Sequence, residues 1–211
     1  MTNKIKNRFL YFALKRIIDF FGGLIGLLLS LPIIIVAIIF IRIESPGPAI
    51  FKQRRVGLGG KLFKMYKLRG MYVDAKERFP ELYDYTNKTS LNFYFHDKKD
   101  PRVTKVGKII RKTSIDELPN FINVILGNMS LVGPRPEIEE VINLYGRDMK
   151  KYVSVKPGIT CYSKAELRDA LTKEETLKID LKYIDEMNLK LDLKLLFKTV
   201  KNVFLRKNVF T

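Results

Sequence analysis

The sequence predicts a small, mostly helical α+β domain carried on an N-terminal membrane segment, and three observations lead there. Residues 20–41 hold no charge and are rich in Ile and Leu. At about 1.5 Å of rise per helical residue, that run is long enough to cross a hydrocarbon core of about 30 Å. Two strand-like runs, residues 49–56 and 61–68, flank Gly57-Leu58-Gly59-Gly60 and read as one β-hairpin whose glycines supply positive φ. Beyond the hairpin, apolar residues recur at helical spacing in several stretches. The turn-forming Glu44-Ser45-Pro46-Gly47-Pro48 divides the chain, so residues 1–48 form a basic tail and membrane helix, and residues 49–211 form the domain.

The membrane segment is preceded by Lys4, Lys6, Arg8, Lys15 and Arg16 with no acidic residue before Asp19. The apolar run is too long for a cleaved signal peptide, and no small-residue cleavage site follows it. Ser30 and Pro32 interrupt its middle. Proline removes a backbone hydrogen bond and kinks a helix, and the Ser30 hydroxyl can satisfy a carbonyl at the break. Arg42, Lys52, Arg54 and Arg55 follow the run, so the positive-inside rule draws both ends to the cytoplasm. A re-entrant hairpin and a single span with a tolerated proline both accommodate these residues. Asp19, three residues after Arg16, is placed to pair with it.

An excess of 39 Lys and Arg over 22 Asp and Glu gives a net charge of +17, which points to an anionic partner: phospholipid, nucleic acid or a phosphorylated substrate. No helix-turn-helix, zinc or RNA-recognition signature is present, so nucleic-acid binding rests on charge alone and none is expected. The single Cys161 and the single His96 allow neither an intramolecular disulfide nor a protein zinc site, and both read as structural. The hairpin glycines lack the spacing of a phosphate loop and precede a strand instead of a helix.

The chemistry centres on Ser114-Ile115-Asp116-Glu117-Leu118-Pro119. Residues 120–126 read as a buried helix ended by Gly127, and its start lies near Asp116. Ser114 and Glu117 have capping-box spacing, while Asp116 alone would cap a helix starting at Glu117. Capping is the ordinary role of such acids, but these two are flanked by Arg111 and Lys112 upstream and by Arg135, set between Pro134 and Pro136, downstream. A carboxylate pair among cations at a positive helix end suits a polyphosphate substrate with a divalent metal. On the second hairpin strand Lys67 and Arg69 share a face and are further phosphate candidates. Residues 137–145 carry Ile138, Val141, Ile142 and Tyr145 on one helical stripe closed by Gly146. Residues 194–206 form a basic amphipathic helix, entered through a segment capped by Asp192, that either packs on the core or lies in the lipid headgroups.

These motifs, together with Ser45-Pro46-Gly47-Pro48, Phe51-Lys52-Gln53-Arg54-Arg55-Val56-Gly57, Tyr66-Lys67-Leu68-Arg69-Gly70-Met71 and Lys156-Pro157-Gly158-Ile159-Thr160, resemble in family order the bacterial sugar transferases, the monotopic polyprenyl-phosphate phosphoglycosyl transferases. The resemblance implies transfer of a sugar-1-phosphate from a UDP-sugar to polyprenyl (undecaprenyl) phosphate with release of UMP, at the start of capsular, exopolysaccharide, O-antigen or glycoprotein glycan assembly. For that reaction Asp116 is the expected nucleophile, since a carboxylate can form a covalent phosphosugar intermediate, and Glu117 the expected ligand of Mg2+. Arg111 is expected on substrate phosphate, Arg168 is placed there by matching the family's terminal arginine, and Arg135 is the next candidate, its ordinary role being an ion pair that fixes the loop. The resemblance also implies a re-entrant membrane helix hairpin kinked at Ser30 and Pro32, with the catalytic domain on the cytoplasmic face of the cell membrane. The run Cys161-Tyr162-Ser163-Lys164-Ala165-Glu166-Leu167 departs from the family pattern, as does Gly70 where threonine is usual. The rival reading is a non-enzymatic basic adaptor that binds anionic lipid or glycan-assembly partners, and it leaves the acidic pair without a role.

Overall fold

The computed structural model of the chain describes residues 2–83, 91, 100–166 and 171–205. In order, the elements are α1 (Thr2–Glu44), β1 (Ile50–Val56), β2 (Leu62–Leu68), α2 (Ala75–Arg78), α3 (Lys105–Lys112), α4 (Asn120–Ile125), β3 (Ser130–Val132), α5 (Glu139–Ile142), α6 (Met149–Tyr152), β4 (Gly158–Thr160), α7 (Tyr162–Glu166), α8 (Lys173–Glu186) and α9 (Leu189–Phe204). Single 3-10 turns lie at Leu58–Gly60, Pro80–Tyr83, Ile115–Glu117 and Asn143–Asp148.

The expected hairpin in the membrane segment is instead one continuous helix of 43 residues that runs through Ser30 and Pro32. Pro32 deletes one N–H from a long ladder, and Ser30 Oγ donates to the Leu27 carbonyl at 3.0 Å; a single missing bond does not oblige the chain to turn back. The helix docks on the domain along both halves. Arg16 donates to the Val124 and Ile125 carbonyls at 2.7 and 2.8 Å, adding a charged donor to the carbonyls at the C-terminal end of α4, of which Val124 also accepts from Gly127 N at 3.0 Å. Asp19 is buried and accepts from Ser130 Oγ at 3.0 Å and Leu131 N at 2.9 Å, so its expected pairing with Arg16 does not form. A Cβ on Gly26 would stand 2.6 Å from ring carbons of Phe121, and glycine there is what lets α1 approach α4. Farther along, Ile34, Ala37 and Ile41 are buried with Ala49, Leu68 and Ile110, and the Glu44 carboxylate caps α3 through Lys105 N (2.7 Å) and Val106 N (2.8 Å). The opposite face stays apolar and open, with Leu29 74% and Ile43 75% exposed, and is suited to lipid contact.

The β-hairpin forms as expected, antiparallel from Ile50 opposite Leu68 to Val56 opposite Leu62, with Gly59 at φ 67° and Gly60 at φ 80° in its turn. The extended segment after Pro157 is β4, which pairs in parallel with the three-residue β3. Sequence periodicity had no purchase on β3, because all three of its residues are buried and a run that short shows no alternation. The main core joins Met65, Val124, Met129, Leu131, Val155, Tyr183 and Leu195. The stripe Ile138, Val141, Ile142 and Tyr145 is core as predicted, although α5 is short and passes into a 3-10 turn that kinks at Gly146 (φ 53°).

The approach to the last helix also differs from expectation. α9 begins at Leu189 behind Asn188, whose side chain accepts from Leu191 N at 3.0 Å. Asp192 is buried one turn inside and accepts from Tyr11 (2.9 Å), Lys15 (2.6 Å) and Tyr183 (2.7 Å), so it ties α9 to α1 and α8 and does not act as a cap. Leu195 points into the core while Phe197, Val200 and Leu193 stay exposed, and the helix thus has both a core face and an open apolar face.

Candidate active site

The acidic pair sits on the 3-10 turn between α3 and α4. Ser114 is the one non-glycine residue of positive φ among the described residues, at 58°, and strain of that kind clusters at functional sites. Neither expected cap exists: the Ser114 side chain makes no capping bond, and α4 starts only at Asn120 behind Pro119. With no helix beginning at residue 116 or 117, the carboxylates are not spent on backbone N–H groups and face β2 instead.

Asn123 fixes that juxtaposition. Fully buried on α4, it accepts from Tyr66 N at 3.1 Å and donates to the Lys64 carbonyl at 2.8 Å, bonding the edge of β2 as a neighbouring strand would. Lys67 then points at the pair, 3.1 Å from Glu117 Oε1 and 4.0 Å from Asp116 Oδ2. Lys164, on α7, closes on the other oxygen of Glu117. Little of either carboxylate side chain reaches solvent, 13% for Asp116 and 18% for Glu117.

Their electrostatics differ. Burial is the largest influence on both and disfavours charge. At Asp116 burial prevails, with the neighbouring Glu117 charge adding to it, and raises the acid above its ordinary value against Lys67, Lys164 and Arg111. At Glu117 burial is outweighed by Lys164, Lys67 and Arg135, which hold the carboxyl well below the usual range. The cations thus favour the charged form of Glu117, while burial and the adjacent Glu117 charge disfavour charge on Asp116.

Arg55, Lys67, Arg135, Lys164 and Glu117 line one cleft. The backbone of Arg135 is held from behind: its N–H donates to buried Asp180 at 2.8 Å, and its carbonyl accepts from Tyr152 at 2.7 Å. Burial pushes Asp180 up to about 6. Arg55 donates to the Pro136 carbonyl at 3.1 Å, and Glu137 is buried in an ion pair with Lys173. Arg111, in the last turn of α3, acts on Asp116 through its charge. A Cβ at position 70 would meet Arg111 Cδ at 3.4 Å, ordinary van der Waals contact, so the threonine usual there would pack beside that arginine. Arg69 parts company with Lys67: buried, it donates to the Ser45 and Pro46 carbonyls and secures the exit from α1. Arg168 and His96 lie outside the described residues. Cys161 is buried with its thiol pushed up to about 11 by burial, which suits packing and not attack.

Among the described residues no group of three or more His, Cys, Asp or Glu could hold a metal by itself. The adjacent carboxylates nevertheless match a hard cation that takes one or two protein oxygens and completes its shell from phosphate and water. Sequence reasoning missed Lys164, Asn123 and Asp180. Lys164 had a signal, since a cation stood in the very run that departs from the family pattern. Asn123 and Asp180 had none, because a buried amide and a buried acid on helix faces look like ordinary polar positions until their partners are known.

Comparison with known proteins bears on the whole chain. The bacterial sugar transferase family profile matches residues 10–206. "Galactosyl transferase CpsE" of Streptococcus agalactiae serotype III (strain NEM316) is 44% identical over 192 residues, covering 90% of this chain and 42% of that protein. A "putative undecaprenyl-phosphate N-acetylgalactosaminyl 1-phosphate transferase" of Bacillus subtilis (strain 168) is 49% identical over 127 residues, covering 60% of this chain and 64% of that protein. The "UDP-glucose:undecaprenyl-phosphate glucose-1-phosphate transferase" of Escherichia coli (strain K12) is 38% identical over 205 residues, 93% of this chain and 41% of that protein. The chain thus spans between two-fifths and two-thirds of the length of these relatives. With a profile match over nearly its full length and the acidic pair set among cations, the chain belongs to the bacterial sugar transferase family.

Proposed function

We propose that this protein transfers a sugar-1-phosphate from a UDP-sugar to polyprenyl phosphate in a membrane. The observation that carries the reading is the unequal carboxylate pair facing Lys67, Lys164 and Arg135, on a domain docked along an apolar helix. Relatives named for undecaprenyl-phosphate and UDP-glucose supply the substrate classes.

In the first half-reaction an Asp116 oxygen attacks the β-phosphorus of the UDP-sugar. The bond from that phosphorus to the bridging oxygen breaks, and UMP leaves with the electron pair. In the second, an oxygen of the lipid phosphate attacks the same phosphorus, the acyl-phosphate bond breaks, and Asp116 returns as a carboxylate beside a polyprenyl diphosphate sugar. Such a covalent path divides one difficult displacement into two. Lys67, Lys164 and Arg135 shift from Glu117 towards the incoming diphosphate and neutralise the charge that develops in transfer. Glu117, with Asp116 beside it, would hold Mg2+, which supplies charge neutralisation to the leaving phosphate. Arg111 acts from the α3 side, and Arg168 is proposed on phosphate from the family pattern alone. Both halves of α1 rest on one domain, which supports a monotopic arrangement with both helix ends and the active site on the cytoplasmic face.

The test uses UDP-sugar labelled in the β-phosphate without lipid acceptor. Wild type in Mg2+ should release one equivalent of UMP and carry label on the peptide containing Asp116. Excess chelator should abolish both signals, and Asp116→Asn should show neither while still binding the nucleotide sugar. Product formed only when both substrates are present, with no adduct, would overturn the covalent assignment.

A further inference from the structure

A second cavity, of about 290 Å3, lies between α1 and the β3–β4 ladder, among Phe12, Lys15, Arg16, Val132, Lys156 and Met187. It does not open on the catalytic carboxylates. Met129 and Ile159 line the active cleft, whereas Ser130 and Lys156 line this cavity, so the short ladder stands between the two. Phe12, Leu58, Val132, Val155 and Met187 give it apolar wall, and Lys15, Arg16, Lys156 and the Asp19 carboxylate supply its charged groups. Arg16 Nη2 and Lys156 Nζ both come within 4 Å of the point that a Cβ on Gly127 would occupy, close enough to reach one phosphate group together. Arg16 has carbonyl partners, Val124 and Ile125, but Lys156 donates a hydrogen bond to no described residue. Burial, and then the Arg16 charge, depress the Lys156 ammonium. Asp19, which also lines the cavity, raises the Lys156 value but is itself bonded to Ser130 and Leu131, so two half-buried cations side by side, with Lys15 beside them, still leave room for a further anion.

The position along α1, read with the membrane association proposed above, points to the class of occupant. Phe12, Lys15, Arg16 and Asp19 lie immediately before the uncharged run 20–41, the depth at which headgroup phosphates meet basic side chains while acyl carbons begin. The β3–β4 ladder separates a phosphate held here from Asp116, so this is not where an acceptor could react. We propose that the cavity binds one anionic bilayer phospholipid, its phosphate on Lys156 and Arg16 and its first acyl carbons against Phe12, Val132 and Met187. Such a lipid would fasten the basic end of α1 to the sheet that carries one wall of the active site.

Native mass spectrometry of the full chain in mild detergent, titrated with phosphatidylglycerol, phosphatidylcholine or undecaprenyl phosphate, reads occupancy independently of turnover. Wild type should retain one phosphatidylglycerol in preference to phosphatidylcholine. Lys156→Met should weaken that binding roughly tenfold, the value of a charge-assisted contact. Leu58→Trp, at an exposed hairpin tip that lines the cavity, should weaken it without touching the core, and so keeps the test valid should the lysine variant fail to fold. Lys178→Met, the same charge change at an exposed site on α8, should match wild type. Equal retention by Lys156→Met and Lys178→Met, equal binding of phosphatidylcholine, or displacement of the phospholipid by one equivalent of undecaprenyl phosphate would each overturn the proposal.

Discussion

Asp180→Asn isolates the buried acid that holds Arg135 in place. Asp180 Oδ2 accepts from Arg135 N at 2.8 Å and lies 3.1 Å from the Tyr152 hydroxyl, while that hydroxyl's single proton is already committed to the Arg135 carbonyl at 2.7 Å. A proton on Asp180 would satisfy the second contact, in keeping with a pKa raised by burial from 3.8 to about 6. Because the folded-state value lies above the unfolded one, the folded state binds this proton more tightly. The associated stability is complete below about pH 4 and is lost as pH rises through about 6. A shift of about two units corresponds to roughly 3 kcal/mol. Asparagine keeps the acceptor and does not titrate. The melting temperature of Asp180→Asn relative to wild type should therefore climb between pH 4 and pH 7, by about 6–12 °C for a domain of this size. Circular dichroism in detergent across that range measures it, and taking the difference cancels carboxylates of opposite sign such as Glu117 and Asp100, whose values are lowered. A difference constant with pH would show that Asp180 stays ionised and would refute the reasoning.

Three further outcomes are expected. Lys173→Met strands the Glu137 carboxylate, 1% exposed, and should cost about 3–5 kcal/mol, part of it recovered by adding Glu137→Leu; a thiol-reactive dye reporting on buried Cys161 follows the unfolding, and an unchanged melting temperature would refute the pairing. Lys164→Gln removes one cation from the cleft and should raise KM for the nucleotide sugar roughly tenfold with a smaller change in kcat; initial rates of UMP release decide, and an unmoved KM removes Lys164 from substrate binding. Single cysteines at Asn3 and Val73, in a Cys161→Ala background, should both resist an impermeant thiol reagent in intact cells, and labelling at Asn3 alone would mean that α1 passes through the bilayer.

What was legible in the sequence was whatever repeats or punctuates locally. The uncharged run 20–41, the glycine turn of the hairpin, the core stripe from Ile138 to Tyr145 and the stop at Gly127 were readable because burial imposes period and turns demand particular residues. The acidic pair could be picked out because its neighbours in the chain are cations. Only the tertiary structure decided what each polar residue does. Lys67 and Arg69 share a strand pattern, yet one meets Glu117 and the other two carbonyls of the turn after α1. Asp19 and Asp192 resemble a helix-surface pair partner and a cap, and prove to be buried anchors between α1 and the domain. Lys164 reaches Glu117 across 47 positions of chain. Hydrogen bonds and ion pairs act over a few ångströms of space without regard to separation in sequence, so periodicity fixes which face is buried while packing alone selects the partner.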